Sequence, residues 1–460
     1  MKIVVDLDGT LTNFNEFVKN NAIPFFEKKG MVVVKPNELE VEDIFDMENF
    51  FINKYNCSKE EAKKLTKEAL DEFWIGFNFI KFSLLNRFRP KVRDFINKKI
   101  KEGHSVEIHT SRAKTCDDSL VGFIAKSFTI LQCKLNGLNI KNNDIYFYPD
   151  DTSKINGIIS RNPDVVFDDK KEIIEELTKH GLKVLFIDEK HNQDVLENKD
   201  TIRFKEFSEA NDKIEEVIGK TKIKFYERAA KSDIFFNKAK LVSPLVMQKF
   251  KPIIINSKNL ISVENEPVIY APNHRSTLDP VVITSIILKN IHWAALLRFF
   301  KADDSIFNNN KNRLLCKLTS KTFKRLEYFP IDRKSDNKDA NNIRAIRDMN
   351  GFLKVNQSIG IFAEGTTRRE KGHDFGTFDD SFIILGKKND AWIQPITTLW
   401  LKELNIPSKV IINFGKPFKL VGTKEEAMEH FLKVQRECLD ENMEVRDNLE
   451  KIKIKTFKNL

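Results

Sequence analysis

At 460 residues the chain is too long for one ordinary hydrophobic core, and two or three domains are expected. Hydrophobic residues at 41% and charged residues at 31% describe a globular chain, and no run of eighteen apolar residues occurs, which excludes an obvious membrane-spanning helix. The net charge of +10 is uneven, about −4 over residues 1–220 and about +14 over 221–460, so the second half is the one suited to an anionic partner.

Met1 leads directly into the apolar run Lys2–Asp6, which reads as a buried strand; no signal peptide is expected. The five cysteines show neither metal spacing nor a pairing pattern and are read as free thiols of a reducing cytoplasm. Further strands are expected at Ser105–Thr110, Asp144–Tyr148, Asp164–Asp168 and Lys183–Asp188. Helical segments such as Lys171–His180 lie between them, an alternation that argues for a parallel α/β sheet over residues 1–205. A long insert, about residues 14–88, reads as a helical cap, with Ser58 and Glu61 forming a capping box. The polar stretch 206–221 reads as a linker. Residues 222–250 form a basic, amphipathic segment suited to lie in a membrane interface. Strands and helices alternate again from about 251, and a last helix is expected from Lys424 to Leu449.

Chemistry enters at Asp6-Leu7-Asp8-Gly9-Thr10, at the end of the first strand. Two carboxylates leaving a strand together can divide the work of attacking phosphorus and protonating a leaving oxygen. Gly9 permits the tight turn that brings backbone donors to a phosphate. His109-Thr110-Ser111-Arg112 follows the second strand with a hydroxyl, either Thr110 or Ser111. Lys154 can neutralise phosphate, with Lys170 and Lys171 as later competitors. Asp168 and Asp169 end a strand where Mg²⁺ can be held. This set resembles the haloacid dehalogenase (HAD) superfamily of phosphatases, with a Rossmann-like domain and a helical cap. The resemblance implies Asp6 as nucleophile, Asp8 as general acid/base, Thr110 and Lys154 as phosphate ligands, and a magnesium site at Asp6, Asp8 and Asp168. Asp169 is a second carboxylate candidate. An inactive scaffold of the same fold is the alternative.

The second half carries Asn273-His274-Arg275-Ser276-Thr277-Leu278-Asp279-Pro280 between a strand and an apolar helix, Val281–Leu288. On a turn entering a helix this spacing lets Asp279 meet the His274 imidazole, so that the free ring nitrogen can take a proton from an alcohol. Three more blocks follow: Phe329-Pro330-Ile331-Asp332-Arg333, Ile361-Phe362-Ala363-Glu364-Gly365-Thr366-Thr367-Arg368, and Ile393-Gln394-Pro395-Ile396, where the proline reads as an edge or a bend. Arg333 can clamp a phosphate.

These four blocks, in this order, resemble the glycerophospholipid acyltransferase family typified by 1-acyl-glycerol-3-phosphate acyltransferase, over roughly residues 225–420. The resemblance implies an α/β acyltransferase domain, assigned here to residues 251–460, with His274 as general base and Asp279 as its orienting partner. It places Arg333, Glu364, Gly365 and Thr366 at the acceptor's phosphate and glycerol. Ala363 and Thr367 depart from the family's usual Phe-Pro-Glu-Gly-Thr-Arg-Ser, and Arg368, one residue late, is expected to reach the phosphate by another route. The donor is expected to be acyl-CoA or acyl-carrier protein, the acceptor a lysophospholipid, and the acyltransferase to need no cofactor. A peripheral position on the inner, cytoplasmic face of a membrane follows. The alternatives are another lysophospholipid or glycerol 3-phosphate as acceptor, or a nucleic-acid-binding nucleotidase. The last leaves the four blocks unexplained, so no nucleic-acid partner is expected.

Overall fold

The computed structural model describes residues 1–25, 47–74, 86–261, 266–300, 313–333, 338–364, 375–376, 378–403 and 406–458. The chain divides into two compact units, Met1–Ile223 and Lys224–Leu460.

The N-terminal unit is built on six parallel strands: β1 (Lys2–Asp6), β2 (Ser105–Ser111), β3 (Ile145–Tyr148), β4 (Val165–Phe167), β5 (Val184–Ile187) and β6 (Thr201–Phe204). Their order is β3-β2-β1-β4-β5-β6. Ile3, Val4 and Val5 are all fully buried, as a strand covered on both faces requires. On one face Val4, Val166, Val184 and Phe186 pack against Ile158, Ile173, Ile174 and Leu177 of the helices Asp151–Arg161 and Lys171–Lys179. The strand order reverses between β1 and β4, and an open parallel sheet leaves its crevice at the carboxyl ends of such a pair. Asp6 ends β1 and Asp168 follows β4.

Within the insert, the helices Met47–Tyr55 and Lys59–Trp74 share a small core of Phe50, Phe51, Ala62 and Ala69 with Phe17. Ser58 and Glu61 exchange backbone hydrogen bonds at 3.2 and 3.3 Å, which fixes the start of the second helix. The insert returns to the sheet beside its departure: Thr12 bridges Phe88, and the Arg89 amide donates to the Leu11 carbonyl at 2.8 Å. Inside the stretch 206–221, residues Ala210–Ile218 form a helix that buries Ile214, Val217 and Ile218. That apolar stripe is diluted by charges in the sequence, which is why the stretch reads as polar.

The C-terminal unit holds seven strands: β7 (Ile253–Ile255), β8 (Val268–Pro272), β9 (Ile291–Leu296), β10 (Phe329–Ile331), β11 (Ser358–Gly360), β12 (Trp392–Glu403) and β13 (Ile406–Phe414). Their order is β10-β9-β11-β8-β12-β13-β7. Strands β8 to β12 run parallel, so their carboxyl ends share one edge, and β13 returns antiparallel to β12. One face packs Phe329, Phe352, Ile359, Ile383, Ile393 and Phe431; the other packs Tyr270, Ile283, Trp293, Ile396, Ile412 and Phe414. Residues 222–250 fall in two helices, Lys220–Lys240 and Ser243–Phe250, and the final helix runs from Lys424 to Lys458. Among the described residues no helix is long and apolar enough to cross a membrane.

Pro395 corrects an expectation. It lies in β12, an interior strand between β8 and β13, and marks neither an edge nor a bend. The ladder with β13 ends at Ile396 opposite Phe414, and the Pro395 carbonyl accepts from the Gly415 amide at 3.0 Å just beyond it. The missing N–H therefore falls where that ladder has stopped.

Candidate active sites

At the reversal point of the first sheet, a cleft of about 320 Å³ is lined by Asp6, Asp8, Thr110, Lys154, Asp168 and Asp169, among others. Lys154 is brought in by the helix Asp151–Arg161 with its side chain fully buried. Its ammonium donates to Asp6 Oδ1 at 2.5 Å and to Asp168 Oδ2 at 2.7 Å. Burial alone would lower its pKa, but Asp168 and Asp6 outweigh this and raise it. One ammonium does not balance the cluster. Burial holds the Asp6 carboxyl well above its ordinary range; Lys154 pulls it down, and Asp168, Asp169 and Asp8 push it up again. Asp168 is raised by the same burial. Lys170 and Lys171 also line the cleft, but they pair with Asp151 and Asp194 and not with Asp6 or Asp168.

The turn after β1 is fixed from several sides. Gly9 has φ +89°, and a Cβ there would stand 2.2 Å from Asp169 Oδ2. Thr10 Oγ1 donates to Asp169 Oδ1 at 2.8 Å. Arg89, on the return from the insert, holds the Gly9 carbonyl through Nε at 3.0 Å and Nη2 at 2.7 Å. The Asp8 carboxylate accepts from Arg112 Nε at 2.7 Å and Nη2 at 2.6 Å, and from Thr110 Oγ1 at 3.3 Å. Ser111 bonds Asp151 Oδ1 at 2.6 Å. His191 lies 3.1 Å from Asp169 Oδ2, a contact that raises its imidazole pKa. Among the described residues no three metal-ligating side chains converge. Asp6 and Asp168 nevertheless offer two buried hard-oxygen donors facing one cation, and Mg²⁺ commonly takes only one or two carboxylates, completing its shell with water and phosphate.

In the C-terminal unit His274 lies two residues beyond β8, and Asp279 opens the helix Asp279–Ile287. Asp279 is fully buried, and its Oδ2 lies 3.0 Å from His274 Nδ1. The same oxygen accepts from the backbone amides of Arg275 and Ser276, both at 2.8 Å. The other oxygen accepts from Trp400 Nε1 at 2.6 Å and Thr398 Oγ1 at 3.4 Å. A carboxylate can only accept, so Nδ1 carries the imidazole proton and Nε2 presents its lone pair. The ring packs on Phe362 with centroids 4.2 Å apart, and Phe362 stacks on Trp293. Asn273, wholly buried, pins the turn to β12: its Oδ1 accepts from the Thr398 amide at 2.7 Å, and its Nδ2 donates to the Thr398 carbonyl at 3.1 Å.

Glu364 comes to the same place from the end of β11, but its carboxylate organises backbone. It accepts from the His274 amide at 2.7 Å and the Gly376 amide at 3.0 Å. Arg333 follows β10, three strand positions from β8, or about 14 Å along the shared sheet edge. The preceding Asp332 is buried and held by Asn341 and Asn342. Gly365, Thr366 and Arg368 lie outside the described residues. Arg89, Arg112, Thr398 and Trp400 were not assigned from the sequence. Arg112 stands inside a motif that drew attention for its hydroxyls, whereas Trp400 is 121 positions from its partner and carries no local signal.

Two α/β units, one with an acidic cleft around a lysine and one with a His–Asp pair at a strand end, define the chain as one with two candidate catalytic centres. Residues 253–399 match the family model described as Acyltransferase, so the chain carries an acyltransferase domain. A comparison with curated proteins finds no match. Among solved structures, the 1-acyl-sn-glycerophosphate acyltransferase PlsC of Thermotoga maritima is similar at 15% identity and a TM-score of 0.33, covering 47% of this chain and 82% of that one. A haloacid dehalogenase-like family hydrolase of Streptococcus pneumoniae is similar at 15% identity and a TM-score of 0.32, over 44% of this chain and 93% of that one. The HAD-hydrolase YfnB of Bacillus subtilis, bound to magnesium, follows at 13% identity and 0.32, over 46% and 97%.

Proposed function

We propose that the C-terminal unit transfers a fatty acyl group from acyl-CoA or acyl-carrier protein to 1-acyl-sn-glycerol 3-phosphate, giving phosphatidic acid. The observation that carries this reading is the His274–Asp279 pair at 3.0 Å, inside the matched acyltransferase domain. His274 Nε2 takes the proton of the acceptor hydroxyl as that oxygen attacks the thioester carbonyl; the carbon–sulfur bond breaks, and the leaving thiolate takes that proton from the imidazolium and departs as the thiol. No metal and no enzyme-bound acyl group is needed. Arg333, at the same sheet edge, is a cation available to the acceptor's phosphate. His274→Ala should lower acyl transfer by roughly 10²- to 10⁴-fold. A panel of lysophosphatidic acid, other lysophospholipids and glycerol 3-phosphate tests the acceptor; transfer to none of them sinks the reading.

The N-terminal unit is read as a phosphomonoesterase dependent on Mg²⁺. Asp6 attacks phosphorus, Asp8 handles the leaving group's proton, and Thr110 and Lys154 bind phosphoryl oxygens. Asp6, Asp168 and the backbone carbonyl of Asp8 would hold the metal, which would supply positive charge to the phosphoryl oxygens. The excess of buried carboxylates over the single Lys154 ammonium supports a divalent cation there. Asp6→Asn should abolish hydrolysis across a phosphomonoester screen, and unchanged hydrolysis would remove the assignment.

Membrane contact is proposed through residues 222–250, where Ile234, Leu241, Val242 and Leu245 are exposed beside Lys238, Lys240 and Lys249. The chain would then sit peripherally on the cytoplasmic face. Leu241→Ser with Leu245→Ser should reduce flotation with anionic liposomes; undiminished flotation discards this contact.

A further inference from the structure

The helix Leu120–Leu135 of the N-terminal unit reverses the usual arrangement of a helix that covers a sheet. Its inner face is small and polar, with Gly122, Ala125, Thr129, Gln132 and Cys133 buried. Thr129 and Gln132 receive Arg112 there, at 2.8 and 3.3 Å. The outer face carries the large apolar residues Leu120, Val121, Phe123, Ile124, Leu131 and Leu135, and Leu120, Phe123 and Leu135 are 73%, 69% and 66% exposed. Positions 120, 124, 131 and 135 recur at helical spacing and make one stripe about 24 Å long. Among the described residues these side chains are left exposed, Ile124 and Leu131 least so. A continuous exposed stripe of this kind marks a contact surface, unlike apolar residues scattered singly.

Charge and size select what covers it. Acidic residues stop at Asp118 and resume at Asp144; between them Lys126, Lys134 and Lys141 are the only charges, and the first two are exposed beside the stripe. A single helix face about 24 Å by 10 Å offers roughly 240 Å², far below the ~800 Å² per partner that a stable protein pair buries. An apolar stripe flanked along its length by Lys126 and Lys134, with the exposed Asp117 and Asp118 confined to its amino end, suits acyl chains beneath anionic headgroups. We propose that the outer face of this helix docks the N-terminal unit onto an anionic bilayer. The inference stands on this helix's charge and area, independently of the acyltransferase reading.

The test uses the full chain with Cys57, Cys116 and Cys316 replaced by serine, carrying an environment-sensitive fluorophore at Phe123→Cys, Leu131→Cys or, as control, the exposed Lys179→Cys. Vesicles of phosphatidylglycerol and phosphatidylethanolamine are compared with neutral phosphatidylcholine vesicles. Emission should move to the blue at 123 and 131 on the anionic vesicles only, with no change at 179, and should do so also when Leu241→Ser and Leu245→Ser are present. The proposal is overturned if the chain sediments with the vesicles while the labels at 123 and 131 stay unchanged. It is equally overturned if the shift occurs without vesicles, whether it rises with protein concentration (a second copy) or not (another part of the same chain). Loss of acyl transfer by His274→Ala with the shift intact keeps the two readings separable.

Discussion

Asp279 shows how a buried carboxylate is kept in place: five donors surround its two oxygens, and only one of them is the imidazole it orients. Trp400 supplies the shortest of these contacts from another strand, so it is a positioning residue for the dyad. Trp400→Phe keeps most of the ring's packing and deletes the Nε1 donor, a hydrogen bond to a charged group worth about 1.5–3 kcal/mol. The expected result is acyl transfer reduced roughly tenfold with a raised KM excluded, read from kcat and KM separately, and a lower Tm for the C-terminal unit. Asp6 presents the opposite balance. Its carboxyl is raised by burial and by Asp168, Asp169 and Asp8, so the charged form is disfavoured in the fold. Asp6→Asn should therefore abolish hydrolysis yet leave the N-terminal unit at least as heat-stable as before, measured by thermal unfolding near neutral pH. A large fall in Tm would show that Asp6 holds the fold rather than the phosphate.

At the level of elements, the His274 turn depends on what lies behind it. Gly360 ends β11, and a Cβ there would come 2.1 Å from the fully buried Trp293 ring. Trp293 is stacked on Phe362 and anchored by its Nε1 donating to Thr284 Oγ1 at 2.9 Å; Phe362 in turn carries the His274 ring. Gly360→Ala should cost about 1–3 kcal/mol or more through overpacking and lower acyl transfer as well, because the strain reaches the imidazole through two rings. Calorimetry together with turnover checks both halves. In the first unit the equivalent support is the Arg89 contact with the Gly9 carbonyl, which ties the return of the insert to the turn between Asp6 and Thr10.

Across the whole molecule, two compact units predict two thermal transitions, which a single Tm would conceal. Mg²⁺ should raise only the transition of the N-terminal unit, and Asp6→Asn should remove that increment. Acid should act on the C-terminal unit through His292, enclosed by Phe236, Phe329 and Phe352 with Nδ1 2.8 Å from the Leu326 carbonyl. Burial pushes its imidazole from 6.5 down to about 4. The unfolded chain then binds the proton first, so stability is intact above pH 6.5 and falls as the pH drops toward 4. His292→Asn should flatten that part of the Tm–pH curve for the C-terminal transition; an unchanged slope would assign acid sensitivity to other groups.

What the sequence determined was local: apolar runs of strand length, the Ser58–Glu61 cap, and short motifs whose residues meet because a strand end or a helix start puts them together. Asp6 with Gly9, and His274 with Asp279, are of this kind. The tertiary structure alone decided which distant groups complete them. Trp400 reaches Asp279, Arg112 takes Asp8, and the Glu364 carboxylate turns to the His274 backbone, because strands far apart in the chain become neighbours in a sheet. It also decided the faces: the stripe of Ala210–Ile218 faces inward and that of Leu120–Leu135 outward, a choice set by neighbouring elements and invisible to spacing. Periodicity shows that a helix has an apolar side; only packing shows whether anything covers it.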